Sequence, residues 1–152
     1  MAAPNLSRNF LIMLGNGAQP EVFSFPCGAN ARSVNLINNL GEESVLDCDD
    51  PLNAMAAIQR WIESQDTTLT ISGRVAKGEA LTMWRQWIDA NTDQTAQKNI
   101  RIQFMESAAD GGGYYTLSAF LANVEWGAEG KSSATFTANI VGSGPRVWTA
   151  AS

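Results

Sequence analysis

Residue types that commonly perform enzyme chemistry are sparse in this sequence. The chain contains no histidine, which removes the commonest general base, the usual metal ligand and every Ser–His or Cys–His nucleophile pair. Two distant cysteines, Cys27 and Cys48, do not supply a zinc cluster. We expect both to be free thiols, with a single bridge between them as the alternative. The sequence therefore favours a protein that binds or assembles, with no enzymatic activity, no cofactor and no metal.

One dense cluster of acidic residues lies in the first half of the chain. It spans nine positions and consists of Glu42, Glu43, Asp47, Asp49 and Asp50. Carboxylates can bind Mg²⁺ or Ca²⁺ through oxygen, but this spacing does not match the calcium loop of an EF-hand. Like charges at this density favour solvent, so we expect an exposed loop or hairpin whose last Asp caps a helix.

Two further motifs have a functional and a structural interpretation, and the structural one is stronger in each. The run from Gly111 to Gly113 lacks the Gly-Lys-Ser/Thr ending of a phosphate loop and lies between predicted strands, so we interpret it as a turn. Trp84 and Trp87 would suit a sugar platform, but their helical spacing favours a role in the core. The spacing of the fifteen acids selects no pair for glycoside hydrolysis.

Composition and charge restrict the partners of the chain. Its 152 residues fit a single domain, 1–152, and only 16% of them are charged. A surface poor in ions is easier to bury against another subunit, because few charges lose their water. The chain has ten Lys and Arg residues and fifteen Asp and Glu residues, a net charge of −5, and this balance argues against binding to nucleic acid. We see no signal peptide and no apolar run that could span a membrane.

Most of the chain shows the period-two alternation of half-buried β-strands. Residues 1–7 are small and polar, and we expect them to form a mobile arm. Gly and Pro turns separate the strands, including one at 142–145, and this pattern is typical of a sandwich or barrel. The predicted strands are 10–14, 22–25, 32–38, 67–75, 100–105, 114–126, 134–140 and 146–149.

Two segments show helical spacing. Asp50 and Pro51 form a helix-start signal, and the apolar residues that follow predict a helix over 51–64. Residues 79–91 carry an apolar stripe that includes both Trp84 and Trp87, so we expect this second helix to cover an open face of the sheet.

Several short motifs of the C-terminal third occur in an order that suggests a family. They are an aromatic strand at 114–120, a polar turn at 124–127, a Phe-bearing strand at 134–138, a Gly-rich turn at 141–144, and Val147-Trp148. In this order they resemble the major tail tube proteins of long-tailed, siphovirus-type phages and of gene transfer agents. The segments at 32–34, near Asp47, at 71–73 and at 79–91 also follow the family's order, so the resemblance covers about residues 8 to 149.

The resemblance implies a fold of two packed antiparallel sheets with a flanking helix. It also implies a structural virion protein whose homohexameric rings stack head to tail into a tube for phage DNA. A long loop between early strands commonly reaches the next ring, and here it corresponds to residues 38–66. The inter-ring loop candidates are therefore Glu42, Glu43, Asp47, Asp49 and Asp50. A helix at 51–64 departs from the mostly irregular hairpin that the family leads us to expect.

Partners and location also follow from the resemblance. The implied partners are copies of the same chain and the tape measure, tail-tip and tail-terminator proteins. DNA would pass through the lumen without specific binding, and the location would be the virion tail, assembled in the host bacterial cytoplasm. Two alternatives remain: a tube subunit of a contractile tail or secretion system, and a ligand-binding β-sandwich. The latter, a carbohydrate-binding module or virion decoration protein, would present Trp126 or Trp148 in a concave patch.

Overall fold

The computed structural model describes residues 9–17, 19–46, 48–52 and 54–151. The predicted N-terminal arm at 1–7 and Asp47 lie outside these residues. Within them are seven β-strands, two α-helices and a short 3-10 turn at Ala108–Asp110. The strands are β1 (Phe10–Gly15), β2 (Phe23–Ser24), β3 (Ala29–Val45), β4 (Ala57–Arg74), β5 (Lys98–Phe104), β6 (Gly113–Gly127) and β7 (Thr135–Ala150), and the helices are α1 (Glu79–Asp89) and α2 (Asp93–Ala96).

All seven strands belong to one antiparallel sheet, in the order β2-β1-β5-β6-β7-β4-β3. The sheet curls, so that β3 at one end returns to β1 near the other end. Arg32 on β3 donates a hydrogen bond from Nε to the backbone carbonyl of Phe10 on β1. Phe10 and Val34, one on each strand, both pack against the common core. The predicted mainly β class is confirmed, and the two predicted layers are halves of one continuous sheet.

Alternate residues of five strands form the hydrophobic core, as the period-two pattern predicts. Ile100, Ala119, Ala138 and Ile140 have no exposed surface at all. Burial of this kind contributes roughly 25 cal/mol per Å² of apolar surface removed from water. The other core residues on these strands are Ile12, Leu14, Leu69, Ile71, Ile102, Leu117 and Phe136.

Helix α1 covers part of the sheet, and the two tryptophans of its apolar stripe are buried. The ring of Trp84 lies 5.5 Å from that of Phe136 on β7. The indole Nε1 of Trp87 donates a hydrogen bond of 2.6 Å to the carbonyl of Ala96 in α2. The predicted helix and the predicted core role of its tryptophans are confirmed.

Two predictions about secondary structure are wrong. The helix expected over 51–64 is absent, because residues from Ala57 onward belong to β4. The helix-start signal produces a single turn, in which the N–H of Ala54 donates a hydrogen bond of 3.1 Å to the carbonyl of Asp50. The turn expected at 142–145 is a wide bulge inside β7, where Ser143 pairs with Ser118 and Val147 with Thr116. Gly144 adopts a φ of 86° there, which glycine tolerates without steric strain.

Candidate assembly surface

Strands β3 and β4 extend beyond the rest of the sheet as a two-stranded hairpin. Strand β7 pairs with β4 only from Thr68 to Arg74, so the preceding residues of β4 pair with β3 alone. We call residues 38–66 the arm, and its connecting residues 46–56 the tip. Each of the ten β4 residues from Ala57 to Asp66 is exposed. The segment that the sequence marked as a loop is therefore a protruding β-hairpin.

The base of the arm is braced by hydrogen bonds and then bends at a bulge. Gln65 donates to Asn38 at 3.0 Å, and Asn39 donates to Ser64 at 2.9 Å. The next pair is Leu40 with Ile62, which leaves Glu63 as an extra residue on β4. A bulge of this kind bends the strand and increases its twist. The arm beyond the bulge therefore leaves the body in a direction of its own.

One face of the arm is apolar. Directly paired residues share a face, so Ile62 lies beside Leu40. Ile58 lies on the same face, four residues further out along β4. Between them Arg60 and Glu42 form an exposed ion pair at 3.0 Å. By strand alternation this face continues the side of the sheet that carries Val34 and Leu69 in the body. The side of the sheet that faces the core in the body is thus exposed to solvent in the arm.

The opposite face of the arm carries an exposed tryptophan over a glycine. Trp61 pairs with Gly41 and remains 47% exposed, whereas Gly41 is buried. A Cβ atom placed on Gly41 would lie 2.5 Å from Cε2 of the indole, closer than real contacts allow. A glycine at position 41 therefore lets the indole lie flat across the backbone.

The five predicted acidic residues do not form one site. Glu42 and Glu43 are adjacent on β3 and point to opposite faces of the arm, and only Glu42 faces Arg60. Asp49 and Asp50 are exposed in the tip, and Asp47 lies outside the described residues. Among the residues that the structure describes, no group of three or more His, Cys, Asp or Glu side chains could hold a metal ion.

Sequence reasoning missed the apolar residues of the arm as a surface. Those from Leu52 to Ile62 fall within the segment predicted as a helix, and Ile58-Gln-Arg-Trp-Ile62 lacks the apolar–polar alternation that would have indicated a strand. The exposed large apolar residues of the arm and tip are Leu40, Leu46, Leu52, Met55, Ile58, Trp61 and Ile62.

Other surface features are weaker candidates for a binding surface than the arm. Trp148 is 42% exposed, but its ring packs edge-on against Tyr115 at 4.8 Å between ring centroids. Cys27 and Cys48 are both free and exposed. No helix within the described ranges is both long and apolar enough to cross a bilayer.

Lys98 on β5 is a partly buried cation. Its ammonium donates to the carbonyl of Gly15 at 3.3 Å and lies 5.6 Å from the ring centre of Trp87. Burial lowers the pKa of Lys98, and the nearby carboxylate of Glu21 opposes that effect.

No protein-family model matches the sequence, and no curated protein sequence matches it. Solved structures do match. A chain from the tail of an empty gene transfer agent particle with C6 symmetry superposes with a TM-score of 0.74 at 11% identity, over 97% of this chain and 100% of the other. The SPP1 tail tube matches with a TM-score of 0.62 at 9% identity, over 97% and 80%.

This chain has the tail-tube fold. A chain from the sheath–tube complex of an extracellular contractile injection system, PVC, also matches, with a TM-score of 0.62 at 14% identity over 99% of this chain and 94% of the other. At such identities the likeness shows the fold, and the resemblance stated from the sequence is confirmed at that level.

Proposed function

We propose that this protein is the subunit of a virion tail tube of a phage or gene transfer agent, a structural role without catalysis. The observation that carries the proposal is the match to a gene transfer agent tail chain, which extends over 97% of this chain and all of the other with a TM-score of 0.74. Because the match is not confined to one motif, the whole chain is accounted for by this one role.

The exposed arm supports the proposal independently. A two-stranded hairpin that stands alone in water is only marginally stable, and exposed apolar patches on soluble proteins mark interaction surfaces. Ile58 and Ile62 are 55% and 57% exposed on one face of the arm. We infer that another copy covers this face and that residues 38–66 contact the next ring. The acidic candidates Glu42, Glu43, Asp47, Asp49 and Asp50 would border that contact.

Stacked rings also solve the problem of open strand edges. Free backbone groups on an edge strand invite uncontrolled pairing, and in a ring the neighbouring subunit covers them. Contacts between unlike surfaces close into a ring when the rotation closes and extend as a filament when it does not. Homohexameric rings that stack head to tail use both kinds of contact.

A negatively charged subunit suits a conduit for DNA. With a net charge of −5, inward-facing carboxylates would repel phosphate groups, so the polymer would slide without adhering. In this role the chain's further partners are the tape measure, tail-tip and tail-terminator proteins. The protein would be assembled in the host bacterial cytoplasm and would reside in the virion tail.

A second candidate is the tube subunit of a contractile tail or injection system. The observation in its favour is the match to the PVC sheath–tube complex over 99% of this chain. The two candidates differ in whether a sheath protein binds the outside of the tube, so co-sedimentation of tubes with a candidate sheath protein discriminates them. For a ligand-binding sandwich, Trp126 with 42% exposure is the better candidate platform, because the ring of Trp148 packs against Tyr115.

Negative-stain electron microscopy of the concentrated full-length protein tests the proposal. We expect hollow tubes or rings with six-fold symmetry in end views. A protein that stays monomeric at every concentration, including in the presence of its tail-tip proteins, would contradict it.

A further inference from the structure

A small apolar groove lies at the seam where β3 returns to β1. Its volume is about 230 Å³, and Phe10, Val34, Leu36, Ile102, Phe104 and Tyr115 line it. Ile102 forms a floor with 1% exposure, and Leu36 stands at the rim with 41% exposure. No backbone pairing between β1 and β3 joins the two sides of the seam in the described sheet. Among the described residues, the groove is therefore an open entrance to the core.

The groove is too small and too apolar for a typical small-molecule site. Ligand pockets usually measure about 300–1,000 Å³ and present several convergent polar groups. The lining here contains no charged residue, and Tyr115 supplies its single hydroxyl. Such an opening fits one or two aliphatic side chains from a protein.

The tip of the arm carries two strongly exposed apolar side chains that could enter such a groove. Leu52 and Met55 are 93% and 94% exposed, whereas the other exposed large apolar residues that the structure describes are at most 60% exposed. Both are unbranched at Cβ, and they lie three residues apart in the tip. Two flexible apolar side chains on a protruding tip match an apolar opening of this size.

A chain cannot fill its own groove with its own tip. Leu36 at the rim and Val45 next to the tip are nine residues apart on the extended strand β3. At about 3.3 Å per residue the tip stands roughly 30 Å from the groove. A tip that fills the groove must therefore belong to a second molecule.

We propose that the seam groove receives Leu52 and Met55 from the tip of a second copy of this chain. This inference rests on the proposed function and specifies the contact between successive rings. Leu36 lines the groove and lies on the same side of β3 as Leu40 in the arm, with the hydrogen-bonded pair of Asn38 and Gln65 between them. Each copy offers one tip and one groove on different parts of its surface, and such unlike contacts extend as a filament when the rotation between copies does not close.

Site-specific disulfide trapping tests this contact. The starting protein is Cys27→Ser/Cys48→Ser, since both native thiols are free and exposed. Leu36→Cys and Leu52→Cys are made separately in it, and the two proteins are mixed with an excess of the cysteine-free protein before assembly and mild oxidation. A disulfide between them is necessarily intermolecular and requires Cα atoms within about 7 Å.

The matched control replaces Leu36→Cys by Val147→Cys. Val147 is 58% exposed, and alternation along β7 places it on the face of the sheet opposite to Trp148 and Tyr115. We expect the Leu36→Cys and Leu52→Cys pair to give at least about fivefold more covalent dimer than the control pair, since only groove and tip come within disulfide range.

The outcomes separate the two proposals. Tubes that form normally but yield no more dimer from the groove pair than from the control would overturn the groove contact and leave the tube function intact. Failure of the unsubstituted wild-type protein to form tubes under any condition would overturn both.

Discussion

The two halves of β4 carry the same residue type in opposite environments. In the body Ile71 is 1% exposed, and in the arm Ile58 is 55% exposed, although both lie on the same side of the sheet. The body supplies β3, β7 and the curled sheet to cover Ile71, whereas β3 alone accompanies Ile58. Strand pairing thus specifies which side chains share a face, and the elements packed around that face decide whether it is buried. The arm carries a core face whose cover is missing from the single chain.

The largest difference in the free energy of unfolding is expected when an isoleucine is replaced by alanine in the body and in the arm of β4. Ile71→Ala removes buried methyl groups and leaves a cavity, so we expect the free energy of unfolding of the monomer to fall by about 2–5 kcal/mol. Ile58→Ala, the matched change, should lower it by no more than about 0.5 kcal/mol, because the side chain is already in water. Urea unfolding of dilute, unassembled protein measures both. Equal losses would show that the arm is packed within the monomer.

A substitution in the arm should affect assembly strongly, although it affects the stability of the monomer little. Ile58→Asp places a charge on the apolar face of the arm, so we expect the critical concentration for tube formation to rise at least about tenfold, equivalent to about 1.4 kcal/mol per subunit contact. The thermal midpoint of the monomer should stay unchanged. Gln59→Asp introduces the same charge on the other face of the arm and is the control. Sedimentation across a concentration series gives both values, and an equal effect of the two changes would place the contact elsewhere.

A smaller contrast concerns the cations of the two regions. Lys98 in the body has a pKa lowered from 10.5 by burial, so near that pH the unfolded chain binds more protons than the folded one. The free energy of unfolding should therefore rise with pH as the pH approaches 10.5. Lys98→Met should remove this rise. Urea midpoints of the two proteins over the alkaline range provide the measurement, and parallel curves would mean that Lys98 is solvated.

The smallest effect is expected for the cation of the arm. Arg60 and Glu42 are both more than half exposed, at 52% and 57% of their side chains, and such pairs contribute about 0.2–1 kcal/mol. Arg60→Ala should therefore change the urea midpoint of the monomer only slightly, and less so at high salt. A larger loss would show that this ion pair fixes the arm.

The body of the fold was predictable because its signals are local. Ile100 and Ile102, or Phe136 and Ala138, alternate over a few residues and reveal their strands without knowledge of any partner. The stripe of Trp84 and Trp87 similarly identified α1 and its buried face. The continuity of the sheet was not predictable, because it depends on how far β6 and β7 bend at their bulges.

The arm was mispredicted because two local patterns coincide there. Leu52, Met55, Ile58 and Ile62 fit a helical stripe, and Asp50 with Pro51 does start one turn. That turn does not propagate, because residues from Ala57 onward pair with β3, a contact far away in sequence. Glu42, Glu43, Asp49 and Asp50 are exposed, as expected. The apolar groove could not be predicted from the sequence, because it combines side chains of β1, β3, β5 and β6.

The bulge at Glu63 has a consequence beyond the single chain. If arms join successive copies, each layer inherits the bend of this one irregular position, and the bends add along the filament. The turn per layer, and so the pitch of the whole polymer, would depend on a single additional residue. Deleting Glu63 should yield filaments of altered pitch built from bodies that are otherwise unchanged.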